Sequence, residues 1–156
     1  MASLVELMTE FYAESDLVLP SGSAAAAFEQ LLRDDRLGRV WILEAEGGVA
    51  GYVVLTLGYS MEYGGLRGFV DDFYIRPEFR GRGAGTAALA TVRRTCTDLG
   101  VRALVAEVGG AEWAAQAAYR KSGLADTGNM LMALPLALPC TPGELRTGSP
   151  GRVARS

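Results

Sequence analysis

Three glycines fall within five residues in the run Arg80-Gly81-Arg82-Gly83-Ala84-Gly85, between a strand-like segment (Phe69 to Ile75) and a helix-like one (Gly83 to Leu99). Glycine lets a backbone approach a ligand closely, and the first turn of a helix leaves N–H groups without acceptors. The two together make an anion cradle that suits a diphosphate. Just upstream, Asp71 and Asp72 place adjacent carboxylates on the strand that feeds this loop. Side chains alternate along a strand, so the two are expected on opposite faces, and at most one meets a bound partner directly. The chain has no histidine. That excludes Ser-His and Cys-His nucleophile pairs and any His-based metal site, and leaves a carboxylate, a tyrosine or water as general base.

Periodicity gives the elements that must position these groups. Leu4, Leu7, Met8 and Phe11 predict a helix over 3–14. Ser21 or Ser23 caps a second helix with Ala24, Phe28, Leu31 and Leu32 on its apolar stripe, and Gly38 ends it. Val40 to Leu43 reads as a strand, Gly47-Gly48 as a hairpin turn, and Val49 to Tyr59 as a long strand. Gly64-Gly65 turns the chain into the strand Phe69–Ile75, which Pro77 stops. Leu89, Val92, Cys96 and Leu99 share one helix face, and Gly100 closes that helix. Val101 to Val108, nearly all apolar, is expected as a strand buried within the sheet. A helix over 111–122 and a last strand over 129–136 complete the order. Residues 1–138 are expected as one domain and 139–156, rich in Pro, Gly, Ser, Thr and Arg, as a disordered tail.

The bulk properties narrow the class. A chain of 156 residues, 49% hydrophobic and 21% charged, suits one globular domain. No apolar run reaches membrane-spanning length and no signal-like start is present, which predicts a soluble, cytoplasmic protein. The net charge of −3 argues against nucleic acid as the main partner, although Arg76, Arg80 and Arg82 cluster at the glycine loop. Cys96 and Cys140 have neither metal spacing nor a disulfide framework, and no metal is implied.

The loop with its flanks, Asp72 to Phe79 before and Thr86 to Leu89 after, resembles the acyl-CoA-binding motif of the GCN5-related N-acetyltransferases. Their pattern Arg/Gln-x-x-Gly-x-Gly/Ala is matched by Arg80, Gly83 and Gly85. The resemblance is strongest over residues 51–123. It implies an α/β (α+β) fold with a mixed, mostly antiparallel sheet splayed between two central strands and flanked by helices. The family's first strand, ahead of the first helix, is expected to be missing. It also implies acetyl-CoA as cosubstrate and direct transfer to an amine.

The same resemblance distributes roles. Backbone N–H groups of Arg82, Gly83, Ala84 and Gly85 would hold the diphosphate, with Gly81 and Arg80 beside them, and Phe73, Tyr74 and Ile75 would offer main-chain groups to pantetheine amides. Ala115, Tyr119 and Gly123 match the family's fourth-helix pattern, which implies Tyr119 as acid for the leaving thiolate. Glu112 stands where that pattern has Asn, at a cofactor contact. An alkylammonium must lose a proton before attack, at about 4.6 kcal/mol at pH 7. The strand Val70 to Ile75 is similar to those of spermidine/spermine and thialysine acetyltransferases, which implies Asp71 as base. Asp72 or a water chain are the alternatives. Tyr12, Tyr59, Glu62 and Asp71 are the acceptor-side candidates, and the acidic character of Glu62, Asp71 and Glu112 favours a cationic small-molecule amine over a peptide. A homodimer is expected, because a missing strand leaves an edge to pair.

Other readings predict different behaviour. Gly83 to Ala88 also fits the dinucleotide fingerprint Gly-x-Gly-x-x-Ala, with an acid, Glu107, 24 residues on. The residues between strand and glycines, and the few strand–helix units left downstream, speak against it. A non-catalytic acyl-CoA sensor would bind the thioester without turnover. Acetylation of a protein N-terminus or lysine is a further alternative.

Overall fold

A computed structural model describes residues 1–15, 17, 22–109 and 113–134. Helices α1 (Ala2–Glu14) and α2 (Ser23–Arg33) come first, followed by strands β1 (Gly38–Ala45), β2 (Gly48–Ser60) and β3 (Gly65–Ile75). A 3-10 turn at Pro77–Phe79 leads to α3 (Ala84–Asp98), β4 (Ala103–Ala106) and α4 (Trp113–Lys121). The described sheet has the order β1-β2-β3-β4, antiparallel except for the parallel β3–β4 pair. This is the expected α/β class, a mixed, mostly antiparallel sheet flanked by helices.

The strands β2 and β3 alternate, and each face packs on its own helices. Leu4, Leu7 and Phe28 of α1 and α2 bury Tyr52, Val54 and Tyr74 on one face. Leu89, Val92 and Cys96 of α3, with Tyr119 of α4, bury Val53, Leu55 and Val70 on the other. Each such side chain removed from water contributes about 1.5–3 kcal/mol, so the two clusters fix the sheet between its helical layers. The backbones of β2 and β3 meet closely at Gly51, where any Cβ would collide with the Tyr74 carbonyl oxygen.

Several expectations are corrected. The second helix is capped by Gly22 without a side-chain hydrogen bond, Ser23 is its first residue, and Ser21 lies outside the described residues. That helix ends at Arg33, and Gly38 opens β1 instead; Leu32 is exposed rather than part of the stripe. Residues 129–134 form no strand, and 135–136 lie outside the described residues. The apolar pattern of Met130 to Leu134 reads as a strand, but no ladder pairs it and its large side chains are exposed. Consequently β4, expected inside the sheet, is half-buried and stands at the edge of the described sheet. Cys140, Glu112 and the tail 139–156 lie outside the described residues.

Candidate active site

The site begins where β3 and β4 part. Their parallel ladder pairs Arg67 with Ala103 through Val70 with Ala106 and stops there, while β3 runs on to Ile75. From Asp71 onward, β3 is paired only to β2 among the described strands. The sheet therefore opens toward the glycine loop that follows β3.

At the far end of this opening stands the N-terminus of α3. Gly81 and Gly83 take positive φ values of 73° and 87°, and Gly83 is the N-cap, with no side chain capping the helix. The N–H groups of its first turn, Ala84, Gly85 and Thr86, are left without intrahelical acceptors. Gly85 faces β3: a Cβ there would meet Ile75 Cδ1 at 3.2 Å and Phe73 Cζ at 3.4 Å. Arg82, Gly83, Ala84 and Phe79 line a cleft of about 550 Å³, with Glu44 and Glu46 of the β1–β2 turn also on its wall. Gly83 and Ala84 thus set the start of α3 into the wall of this cleft.

Two of the loop's arginines, Arg76 and Arg80, are engaged on the α1 side. Arg80 donates from Nε to the Ile75 carbonyl (2.7 Å) and from Nη2 to Glu14 (2.7 Å), and its guanidinium lies 5.7 Å from the Tyr74 ring centroid. Arg76 grips Glu10 through both Nε (2.9 Å) and Nη2 (2.7 Å), reaches Glu6 at 2.8 Å, and donates to the Val49 carbonyl. Glu6, Glu10 and Glu14 recur every four residues along one face of α1, so the helix is tied to both ends of the 3-10 turn. The paired guanidinium and the Tyr74 hydroxyl together hold the Glu10 carboxyl below the usual range.

Tyr119 sits on the opposite face of the sheet from α1. It is buried in the α3/α4 core, its ring 5.9 Å from that of Phe73, and it lines a groove of about 920 Å³ along β4 with Val105, Ala106 and Gln116. Phe73 therefore lies between the first turn of α3 and Tyr119. Tyr59, Glu62 and Tyr63 lie at the distal tip of the β2–β3 hairpin, exposed and far along the strands from Asp72, so Tyr59 and Glu62 are not brought together with Tyr12 and the aspartates.

The two aspartates depart from strict alternation. At the hairpin end Ser60 opposes Gly65 and Leu55 opposes Val70, but Val54 opposes Asp72. Asp71 is the extra residue of a β-bulge. Continued without the bulge, the register would set Asp72 opposite Val53, in the apolar α3/α4 core. The bulge turns it instead to the α1 face, beside Tyr52. Tyr52 donates to Asp72 Oδ2 at 2.8 Å. Burial raises the Asp72 pKa to about 6, against the opposing pull of the Tyr52 hydrogen bond and with a further push from the Asp71 charge. Loss of water raises Asp71 as well, and both carboxylates bear on Tyr12, whose hydroxyl burial pushes to about 12. The bulge interrupts the strict alternation expected of the pair, and the charges of both carboxylates bear on Tyr12 and Tyr52.

Tyr52 is the residue that sequence reasoning missed. An aromatic in an alternating strand reads as core, and its partner lies 20 residues away across a bulged hairpin.

A sheet that splits beside an uncapped helix N-terminus, with an ionisable acid at the split, defines the framework of an acyltransferase. The model of the acetyltransferase (GNAT) family matches residues 1–124, and the chain belongs to this family. It is 49% identical to an integron cassette protein from the mobile metagenome of Cole Harbour Salt Marsh, covering 88% of this chain and 86% of that one, with a TM-score of 0.79. AAC(6')-Iy in complex with a bisubstrate analogue, CoA-S-monomethyl-acetylneamine, shares the fold at 21% identity, 76% and 82% coverage and a TM-score of 0.66. A predicted acetyltransferase from Clostridium acetobutylicum, solved with acetyl-CoA, does so at 16% identity, 85% and 88% coverage and a TM-score of 0.70. A comparison with curated protein sequences finds no match. Among the described residues no helix is long and apolar enough to cross a membrane.

Proposed function

We propose that the protein transfers an acetyl group from acetyl-CoA directly to the amine of a cationic small molecule. The observation that carries this reading is the end of the β3–β4 ladder at Val70–Ala106, next to the uncapped, glycine-bounded start of α3. The diphosphate is held by the N–H groups of Arg82, Gly83, Ala84 and Gly85. Pantetheine then lies along the open edge of Phe73 and Tyr74 as an added strand would. Arg80 already donates to the Ile75 carbonyl, which leaves that oxygen a poorer acceptor for it.

The acceptor amine approaches from the α1 face, where Tyr12, Asp71 and Asp72 form an acidic, partly aromatic wall. Asp72, rather than Asp71, takes the amine's proton, directly or through water. Its pKa near 6 leaves it ionised at neutral pH while making it a stronger base than an exposed carboxylate. Tyr119, on the other face, returns a proton to the departing thiolate. The neighbour that carries an acetylneamine analogue favours a cationic acceptor. The reaction is assigned to the cytoplasm, within a single catalytic domain over 1–138. Two copies are proposed to pair through the sheet edge that the missing first strand leaves.

The test is a thiol-release screen with acetyl-CoA against neamine, spermidine, lysine and an N-terminal peptide. Release with a cationic small amine supports the reading. Binding heat from acetyl-CoA without release from any amine replaces the enzyme with a sensor, and release with the peptide alone overturns the acceptor class.

A further inference from the structure

We propose that Tyr52 is a positioning residue for Asp72, fixing the orientation of the carboxylate and keeping it ionised for the proton transfer. The inference rests on the reading of Asp72 as base but concerns a different residue, on a different strand.

Tyr52 is fully buried, and its ring is held in place from three elements. Phe28 of α2 packs edge-on at 6.0 Å, Phe11 of α1 edge-on at 6.5 Å, and Tyr74 is its cross-strand partner on β3. Apolar packing alone would be served by phenylalanine. A buried hydroxyl is retained at a net cost unless it finds a partner, and this one donates to Asp72 Oδ2 at 2.8 Å. Tyr52 and Asp72 are diagonal neighbours across the β2–β3 ladder, brought to one face by the bulge at Asp71. The donor on β2 and the bulge on β3 thus serve one end. They aim a single carboxylate at the α1 side of the opened sheet, with one oxygen committed to Tyr52 and the other left for a proton.

The charged and titratable groups that bear on Asp72 come from three elements: Tyr52 on β2, Asp71 beside it on β3, and Tyr12 on α1. Burial and the Asp71 charge favour the protonated acid. The Tyr52 hydroxyl favours the carboxylate, since it donates to an oxygen that must stay charged to accept strongly.

The experiment is a carboxyl 13C NMR titration of aspartate-labelled protein, with Asp72→Asn used to assign the resonance. Tyr52→Phe keeps the ring and removes only the hydroxyl. The inference expects the Asp72 titration to move up by about one pH unit in Tyr52→Phe, and the acid limb of thiol release to move with it. Tyr52→3-fluorotyrosine, with a more acidic hydroxyl and nearly unchanged bulk, moves the titration down and stays informative even if Tyr52→Phe folds poorly. An Asp72 titration that stays in place in both variants overturns the inference. If the titration moves as expected but Asp72→Asn retains full turnover, the contact stands and the base reading falls. If Asp72→Asn abolishes turnover while the Tyr52 variants change neither titration nor acid limb, the base stands and Tyr52 is only core.

Discussion

The rings of Phe73 and Tyr119 lie 5.9 Å apart with their planes at 52°, joining the last described helix to the strand that ends in the glycine loop. Phe73 also lies against the position a Gly85 side chain would fill. One aromatic residue therefore spaces the start of α3, proposed to hold the diphosphate, from the tyrosine proposed to protonate the leaving group, and core packing sets that spacing.

Removal of the Tyr119 hydroxyl is expected to separate chemistry from binding. Tyr119→Phe keeps the buried ring and its contact with Phe73. Turnover should fall by about 10² while the dissociation constant for acetyl-CoA stays within about twofold. Single-turnover thiol release and calorimetry measure the two. Unchanged turnover would remove Tyr119 from the acid role.

The loop predicts a backbone effect. Gly83 has φ of 87°, and a Cβ added there would meet nothing within 4 Å, so the cost of a side chain is conformational and not steric. Gly83→Ala should cost about 1 kcal/mol, a fall in Tm of roughly 2–4 °C. It should also weaken acetyl-CoA, because the strained residue is the cap that aims the helix N–H groups. A variant with wild-type Tm and weakened binding would place the effect at the ligand alone.

Arg76 is expected to be structural. It holds Glu10 by two charge-assisted bonds, reaches Glu6, and donates to the Val49 carbonyl, tying α1 to the sheet. Arg76→Lys loses the two-pronged geometry and should destabilise by about 1–2 kcal/mol in denaturant unfolding. The folded-state pKa of Glu10 is depressed, so its share of stability is present above the ordinary Glu pKa and disappears as pH falls through the lowered value. The gap between wild type and Arg76→Lys should therefore narrow in acid. A constant gap from pH 7 to pH 3 would show that the ion pair carries none of it.

The glycine loop was readable because glycine and proline constrain backbone wherever they occur, and α1 to α3 were readable because their stripes repeat at helical spacing. The active-site details were harder. Asp71 and Asp72 sit next to each other in any reading of the chain, but the bulge that turns Asp72 toward Tyr52 is a property of the pairing between β2 and β3 and leaves no local trace. The row Met130 to Leu134 misled for the converse reason: a strand pattern states a preference, and only a partner makes it a strand.

Asp72 carries a final prediction, in which stability and activity move in opposite directions. Its pKa is raised to about 6 in the folded state, against an ordinary carboxylate value near 4 in the unfolded chain. Between those values the folded protein binds the proton more tightly, so stability is greatest below about pH 4 on this account and is lost as pH rises through 6. Above that, holding the charge costs about 1–3 kcal/mol, a cost that fits the proposal that the charged form is the base. Asp72→Asn removes the charge and leaves an oxygen to accept from Tyr52. At pH 8 the variant should unfold at higher denaturant than wild type, with the gain shrinking toward zero near pH 4, while turnover falls by at least about tenfold. A variant less stable than wild type at pH 8 would mean that Asp72 is held by contacts favouring its charge, and the buried-base reading would go with it.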